Sequence, residues 1–533
     1  MLASVSDKDR SKEDADVAIL LDSLDYVHFV VPDINGIPRG RVVPRRFVRQ
    51  TLKTGIDLFH GTLVFGPRTE ATDQIEELER EPGNRTWQPD PATLTPTPWS
   101  DSTPSRGHCT VRVTSNKVTR DAGNAADDGN DRNNDNADDN NDVTGNKIRL
   151  SGAGMNVTSS NSKVIRSGQK VSGNYGDKVT GNRRTTGMVL CQLLTADGRV
   201  DDLDLRHVVQ RLLNKLSQDH GLVFKAAFEY EFVVFKKDTL KPLGSDSFQL
   251  LDVRTTQPDL DLLYELSEEL DEGGFHVTSI QPEFTPGQWE LNFEPQEGLW
   301  AADFAFHVKN AVKIFFARRG YTATFMSFPK LRGSSSGLHL NHSLWTRDGR
   351  NAMKDGSKQN SLSELALRWN AGLVQHAPAM TSLCCPTVNC YRRLHLSGCP
   401  SHATWSIDNR NSLNRFKTKG GNVYLESRLP SGTANPYLAV ACHLAAGMSA
   451  LSQEVTSPPP MDTEHAQTLP KSLEEAFQAL EDDKVVQNAL GHQLISYYVA
   501  AKRDYEIKAF NQKHFKTDEE KIAFERERYL VSL

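Results

Sequence analysis

The chain has 533 residues, 38% of them hydrophobic, and a formal net charge of −6. That length exceeds one ordinary hydrophobic core, so two domains, or one large domain with an appendage, are expected. The mild acidity speaks against nucleic-acid or membrane-surface binding, and no apolar run reaches bilayer-spanning length, so neither kind of partner is expected.

Residues 1–17 read as a disordered polar tail, charged and without the apolar segment of a secretory signal. Tyr26-Val-His-Phe-Val-Val31 is β-branched and aromatic, and Asp33-Ile-Asn-Gly-Ile-Pro-Arg-Gly40 is dense in turn residues. With Arg41-Val-Val43 they predict a β-hairpin opening a small N-terminal domain, residues 18–113. Phe59-His-Gly-Thr62 and residues 89–99 are loop-like parts of that domain. Residues 114–187 are an insert rich in Asn, Asp, Gly and Ser, and within it 124–141 have little to bury. Such a segment cannot offset its ordering entropy, so it is expected to be disordered, as a passive surface loop.

From residue 188 onward helices and strands alternate. Helical spacing covers 208–220, 260–272, 302–319, 361–376 and 435–450, with a helical C-terminal region over 472–510. A strand is predicted over 223–235. Mixed elements with no regular strand–helix–strand period predict an α+β fold. Seven cysteines, odd in number and irregularly spaced, predict reduced thiols in a reducing, cytoplasmic setting.

The chemistry sits in short motifs. Glu229 and Glu231 in Phe228-Glu-Tyr-Glu-Phe232 are two apart in strand-like text, which places both side chains on one face. Two adjacent carboxylates repel unless a cation lies between them. Glu283 and Glu290 flank a Pro-Gly turn, His339 lies in Gly337-Leu-His-Leu-Asn-His342, and Glu426 in Tyr424-Leu-Glu-Ser-Arg428. Taken singly, these read as solvated glutamates, a core histidine and a plain ion pair. Together, five carboxylates and one imidazole suit two hard divalent cations of the kind that handle nucleotide phosphates. Arg393, Arg410, Arg415 and Arg428 cluster in the same half, and arginine forks match carboxylates and phosphates.

In this order the motifs Phe228-Glu-Tyr-Glu-Phe232, Glu283…Pro-Gly-Gln-Trp-Glu290, Ser336-Gly-Leu-His339, Pro386-Thr-Val-Asn-Cys-Tyr-Arg-Arg-Leu394 and Glu426-Ser-Arg-Leu-Pro430…Ala434-Asn-Pro-Tyr437 resemble glutamine synthetase. The resemblance runs from about residue 25 to the C-terminal helices, leaves out the insert, and looks nearest to the family's lengsin branch. It implies a β-grasp N-terminal domain, a catalytic domain over 188–533, and ring oligomers, typically dodecamers. It further implies that Glu231, Glu283 and Glu290 hold a Mg²⁺ or Mn²⁺ ion near the substrate carboxylates. Glu229, His339 and Glu426 would hold a second ion near the ATP phosphates. Arg393 and Arg428 would address glutamate and the transferring phosphoryl group, Arg410 and Arg415 the nucleotide phosphates, and Asn341 is expected among the substrate- and nucleotide-binding residues. The implied partners are ATP, glutamate and ammonia or another amine.

The chain departs from the family pattern on the ammonia side. The family's flap glutamate has no counterpart in residues 394–407, which contain no carboxylate. His60 stands where an aspartate is expected, with Asp90 nearby; Ser334-Ser335 replaces an Asn-Gly pair, and Asn341 a histidine. In the usual Phe-Met-x-Lys-Pro, Phe328 precedes Pro329 and Lys330 is displaced. Two function classes follow from the resemblance: a γ-glutamyl ligase, and a lengsin-like non-catalytic assembly with a cytoskeletal or chaperone role.

Overall fold

The computed structural model describes residues 17–72, 74–75, 83–101, 112–115, 169–172, 184–244, 249–254, 257–356, 361–418, 421–451 and 457–533. The tail expected over 1–17, apart from its last residue, and most of the expected insert lie outside the described residues.

The N-terminal part contains β1 (Tyr26–Pro32), β2 (Pro38–Pro44), β3 (Ile56–Phe59), β4 (Asn84–Pro89) and β5 (Thr95–Pro96). Among the described residues β6 (Arg112–Ser115), at the start of the expected insert, pairs antiparallel with β7 (Gln169–Ser172), which lies within it. β8 (Thr186–Leu194) completes a sheet of order β2-β1-β8-β4-β3, with β5 on β8. The β1–β2 hairpin turns where expected. The Asp33 carboxylate accepts from the N–H groups of Asn35 and Ile37 at 2.8 and 2.9 Å, and Gly36 takes φ 76°.

The sequence reading placed residues 188–194 at the start of the large domain. They form instead the central strand of the small sheet, parallel to β1 from Tyr26↔Thr186 onward. Nothing local marks this pairing, because parallel strands need no turn between them and the insert separates the partners in sequence. Burial drives it: Phe29, Val31, Trp87, Val189, Leu190 and Leu193 are fully buried.

Two further sheets build the large domain, from β9 (Leu222–Phe228), β10 (Tyr230–Lys236), β11 (Val277–Pro282), β12 (Gln288–Phe293), β13 (Gln296–Glu297), β14 (Tyr321–Thr324), β15 (Leu340–Thr346), β16 (Trp405–Ile407), β17 (Asn414–Lys417) and β18 (Tyr424–Ser427). One sheet has order β11-β12-β10-β14 and the other β13-β9-β15-β18-β17-β16. The single strand expected over 223–235 therefore breaks at Glu229. β9 joins one sheet and β10 the other, while the Glu229 N–H donates to the His339 carbonyl at 3.0 Å. An unpunctuated apolar run carries no signal for such a switch; the partner strands decide it.

Helices cover the sheets close to their expected positions. Leu205–His220 starts three residues earlier than expected, because the Asp204 carboxylate caps it by accepting from the His207 N–H, and it ends at Gly221 with φ 67°. Trp300–Arg318 lies over the sheets, with Asp303 in its first turn and Arg318 in its last. Glu364–Gln375 starts three residues later than expected, set by its Ser363 cap. Pro436–Ser449 is buried on every side and forms the core rather than covering it. Its Asn435 cap also donates to the Asp33 carbonyl at 2.8 Å, tying the core helix to the N-terminal hairpin. Arg206 bridges the same join, 3.0 Å from Asp90 and 3.1 Å from Asp303. Among the described residues no helix is long and apolar enough to cross a membrane.

Candidate active site

β10 and β12 set Glu231 directly opposite Glu290, so the two carboxylates share a face. Their neighbours Phe232 and Trp289 pair on the other face and are fully buried. The register is thus fixed by the apolar face, and a one-residue slip would bury both carboxylates in the core. Glu283 follows β11 just before the Pro286-Gly287 turn, where Gly287 takes φ 76°. Gln281 donates to Glu283 at 3.0 Å and Asn292 donates to Glu290 at 2.8 Å. Each of these amides is two residues from the carboxylate it orients. That period-two spacing is legible in the sequence.

The second sheet supplies a row across β15, β18 and β17: Asn341, Glu426 and Arg415 are side by side. Asn341 donates to Glu229 Oε1 at 2.9 Å. His339 Nδ1 lies 2.9 Å from Glu229, 3.7 Å from Glu231 and 3.7 Å from Glu426. Arg393 Nη2 donates to His339 Nε2 at 3.2 Å, so in this arrangement Nδ1 carries the proton and donates to Glu229. The backbone closes in on the same point. The Gly337 N–H donates to Glu231 at 3.0 Å, and a Cβ at Gly337 would come within 2.8 Å of His339 Nε2.

Five of the six candidate ligands, Glu229, Glu231, Glu283, Glu290 and His339, line one cavity of about 780 Å³ with Arg393, Arg410 and Arg428. Glu426 is buried beside them, grouped with Glu229 and His339 within 4.8 Å. The arginines differ in placement. Arg393 is buried and fixed by the carbonyls of Leu429 and Arg428 at 3.2 and 2.6 Å. Arg428 donates to Glu426 and, at 3.2 Å, to the Gly398 carbonyl. Arg410 is exposed on the cavity wall. Arg415 pairs with Glu426 at 2.9 Å and with Asp408 at 2.5 Å, so it holds a ligand in place and is not among the cavity-lining residues.

The electrostatics follow from this crowding. Burial raises Glu290, and the charges of Glu229 and Glu231 push it further, to about 9, against the hydrogen bond from Asn292. Burial, then the charge of Glu231, raises Glu283. Burial also works against the Glu229 carboxylate, but the hydrogen bonds from His339 and Asn341 and the charge of Arg428 hold it well below its ordinary value. Facing carboxylates that repel one another beside an imidazole make a donor set that fits divalent cations, whose charge would let every carboxylate ionise.

The altered positions have local partners. His60 is buried, with Nδ1 3.0 Å from the Gly83 carbonyl. Asp90 faces Arg206. In the segment without carboxylates, Ser397, Gly398 and Cys399 line the cavity, and Ser335 lies 3.6 Å from the Cys399 thiol. His402 pairs with Ser401 at 2.9 Å. Lys330 donates to the Pro286 carbonyl at 3.1 Å, outside the cavity lining. Five lining residues had no role foreseen from sequence: Leu250, Leu251, Gln281, Phe284 and Gly333.

Residues 202–522 match the family model described as the glutamine synthetase catalytic domain. Human lengsin is 32% identical over 359 residues, covering 65% of this chain and 67% of the relative. Glutamate–methylamine ligase of Methyloversatilis universalis is 33% identical over 319 residues, covering 55% and 71%. Glutamine synthetase of Methanocaldococcus jannaschii is 29% identical over 338 residues, covering 60% and 74%. A solved structure described as a GmaS/ADP complex superposes with a TM-score of 0.70 at 21% identity, covering 96% of this chain and 98% of that one, which shows a shared fold.

Proposed function

Because this chain belongs to the glutamine synthetase family, whose catalytic-domain model spans residues 202–522, we propose that it is an ATP-dependent γ-glutamyl ligase. The observation that carries this reading is a single cavity lined by five of the six candidate ligands and three arginines, with Glu426 buried beside them. We read the small N-terminal sheet as the family's β-grasp domain.

A carboxylate is a poor electrophile. In the proposed reaction the glutamate side chain first takes the γ-phosphoryl group of ATP, and an amine then displaces phosphate to form an amide. Mg²⁺ or Mn²⁺ held by Glu231, Glu283 and Glu290, and by Glu229, His339 and Glu426, would supply charge neutralisation for phosphoryl transfer. Arg393 is immobilised by two carbonyls and by His339, so its position costs no reorganisation when charge develops. Arg428, held by Glu426 and the Gly398 carbonyl, is the second fixed cation. Arg410, exposed on the wall, is free to swing onto a nucleotide phosphate. Asn341 fixes the direction of Glu229 rather than meeting substrate.

The test is phosphate release from ATP by the purified protein in Mg²⁺ or Mn²⁺, with the γ-glutamyl product identified by mass spectrometry. Release is expected to require both glutamate and an amine, and to fall at least 100-fold in Arg393→Ala, on the order of what loss of one preorganised charge donor costs. Release independent of glutamate would refute the ligase reading.

One observation favours a second reading. Residues 394–407 bring Ser397, Gly398 and Cys399 to the cavity and no carboxylate. On that reading the protein is a lengsin-like assembly that binds ATP and metal without turnover, with a cytoskeletal or chaperone role. Measurable ATP binding with no phosphate release for any amine would establish it. Under either reading we infer a ring oligomer, with twelve subunits expected from the family resemblance, and solution mass measurement decides it.

A further inference from the structure

The cavity has two chemically distinct ends. Glu229, His339 and Glu426 lie toward the Arg415–Arg428 side, where phosphates would be neutralised. At the Glu283 end the wall carries hydrocarbon beside the Gln281 amide. Leu250, Leu251 and Phe284 line it and are 51%, 61% and 41% exposed in the isolated chain. Large apolar side chains facing an open cavity are costly in water, so their clustering at one end of a polar site indicates a ligand.

This wall is built rather than incidental. Gln249 is buried and donates at 3.0 Å to the carbonyl of Gln288, the first residue of the strand that carries Glu290. The Leu251 N–H donates to the Pro282 carbonyl at 3.0 Å, one residue before Glu283. Between these anchors Leu251 takes φ 56°, a left-handed conformation that a branched side chain rarely adopts. Two anchors thus hold an unfavourable backbone that turns leucine toward the cavity. The cavity lining also includes Ser335, Ser397 and Cys399, all uncharged.

We propose that the acceptor is a primary amine bearing an apolar alkyl or aryl substituent, received by Leu250, Leu251 and Phe284. This rests on the ligase reading. An apolar wall disfavours the alkylammonium form and favours the neutral, nucleophilic amine. Its nitrogen lone pair attacks the acyl carbon of γ-glutamyl phosphate. The C–N bond forms, the C–O bond breaks with its electrons going to phosphate, and the proton lost by nitrogen passes to the departing phosphate. The products are a γ-glutamyl amide and hydrogen phosphate.

The experiment is a kcat/KM series for ammonium, methylamine, n-butylamine, benzylamine and putrescine at saturating ATP, glutamate and Mg²⁺, followed by phosphate release. From methylamine to n-butylamine kcat/KM is expected to rise about fourfold per added methylene, mainly through KM, and putrescine, with its second charge, is expected to fall below n-butylamine. Leu251→Asn keeps the left-handed backbone accessible and replaces an exposed side chain, so it folds; it is expected to collapse the n-butylamine to methylamine ratio by tenfold or more. Glutamate-dependent release with ammonium or putrescine preferred, or a ratio unmoved by Leu251→Asn, overturns the acceptor assignment and leaves the ligase standing. Absence of release with every amine overturns both.

Discussion

Glu290→Gln should move stability in opposite directions with and without cation. The Glu290 carboxyl is pushed up to about 9, by burial first and then by Glu229 and Glu231. Between its ordinary value of 4.5 and about 9 the native state keeps a proton that the unfolded chain releases. Stability therefore falls as pH rises through that window, and at pH 7 the cost is about 3 kcal/mol, an upper figure. Glutamine keeps the shape and the Asn292 contact and cannot ionise. In EDTA at pH 7 the variant is expected to unfold later than the parent, by up to about 3 kcal/mol in chemical denaturation, and its stability is expected to lose most of its slope between pH 5 and 9. In Mg²⁺ or Mn²⁺ the order should reverse. The parent gains binding free energy, about 4 kcal/mol at a thousandfold excess over Kd, and a variant lacking one charged ligand gains much less. A variant less stable than the parent in EDTA, or one whose cation-induced shift equals the parent's, would refute the reasoning.

Three further outcomes are expected. Glu426→Ala strips the carboxylate shared by Arg415 and Arg428; it should cost about 3–5 kcal/mol by urea denaturation, because buried guanidinium charge loses its partner. Asn435→Ala removes both the helix cap and the bond to the Asp33 carbonyl; about 1–3 kcal/mol is expected, and retention of full stability would show that the hairpin docks without it. Replacing residues 116–168 by an Asn-Gly turn joins Ser115 to Gln169, which already face each other as strand partners. Shortening a loop lowers closure entropy, so stability by thermal melt should hold or rise by roughly 2 kcal/mol and the number of subunits per oligomer should stay constant; loss of the assembly would show that the insert builds it.

The candidate site was legible in the sequence to the extent that its motifs are local. Glu229 and Glu231, the Pro-Gly turn between Glu283 and Glu290, and the glycine before His339 each carry their own geometry in a few residues. The outcome at Glu229 is instructive. Period-two spacing placed it on one face with Glu231, and both do reach the same cavity, but by another route: the strand breaks at Glu229 and the two halves enter different sheets. Arg415 is the converse case. As a residue type it suits phosphate, yet its register opposite Glu426 turns it into a support for a ligand.

By itself the sequence determined the α+β class, the positions of the main helices of the large domain to within a few residues, and the candidate carboxylates and histidine that gather at the cavity, while the helices Arg45–Thr54, Ala377–Cys384 and Asp518–Tyr529 went unread. Capping residues, periodicity and turn chemistry are short-range and need no partner to be read. Tertiary structure decided what depends on distant pairing. It placed β8 at the centre of the first sheet, parallel to a strand from the far side of the insert, and it moved Arg415 behind Glu426. It also assembled Leu250, Leu251 and Phe284 into an apolar wall that no motif announced. Strand pairing and cavity walls are set by burial shared among segments far apart in the chain, and that burial exists only once the chain has folded.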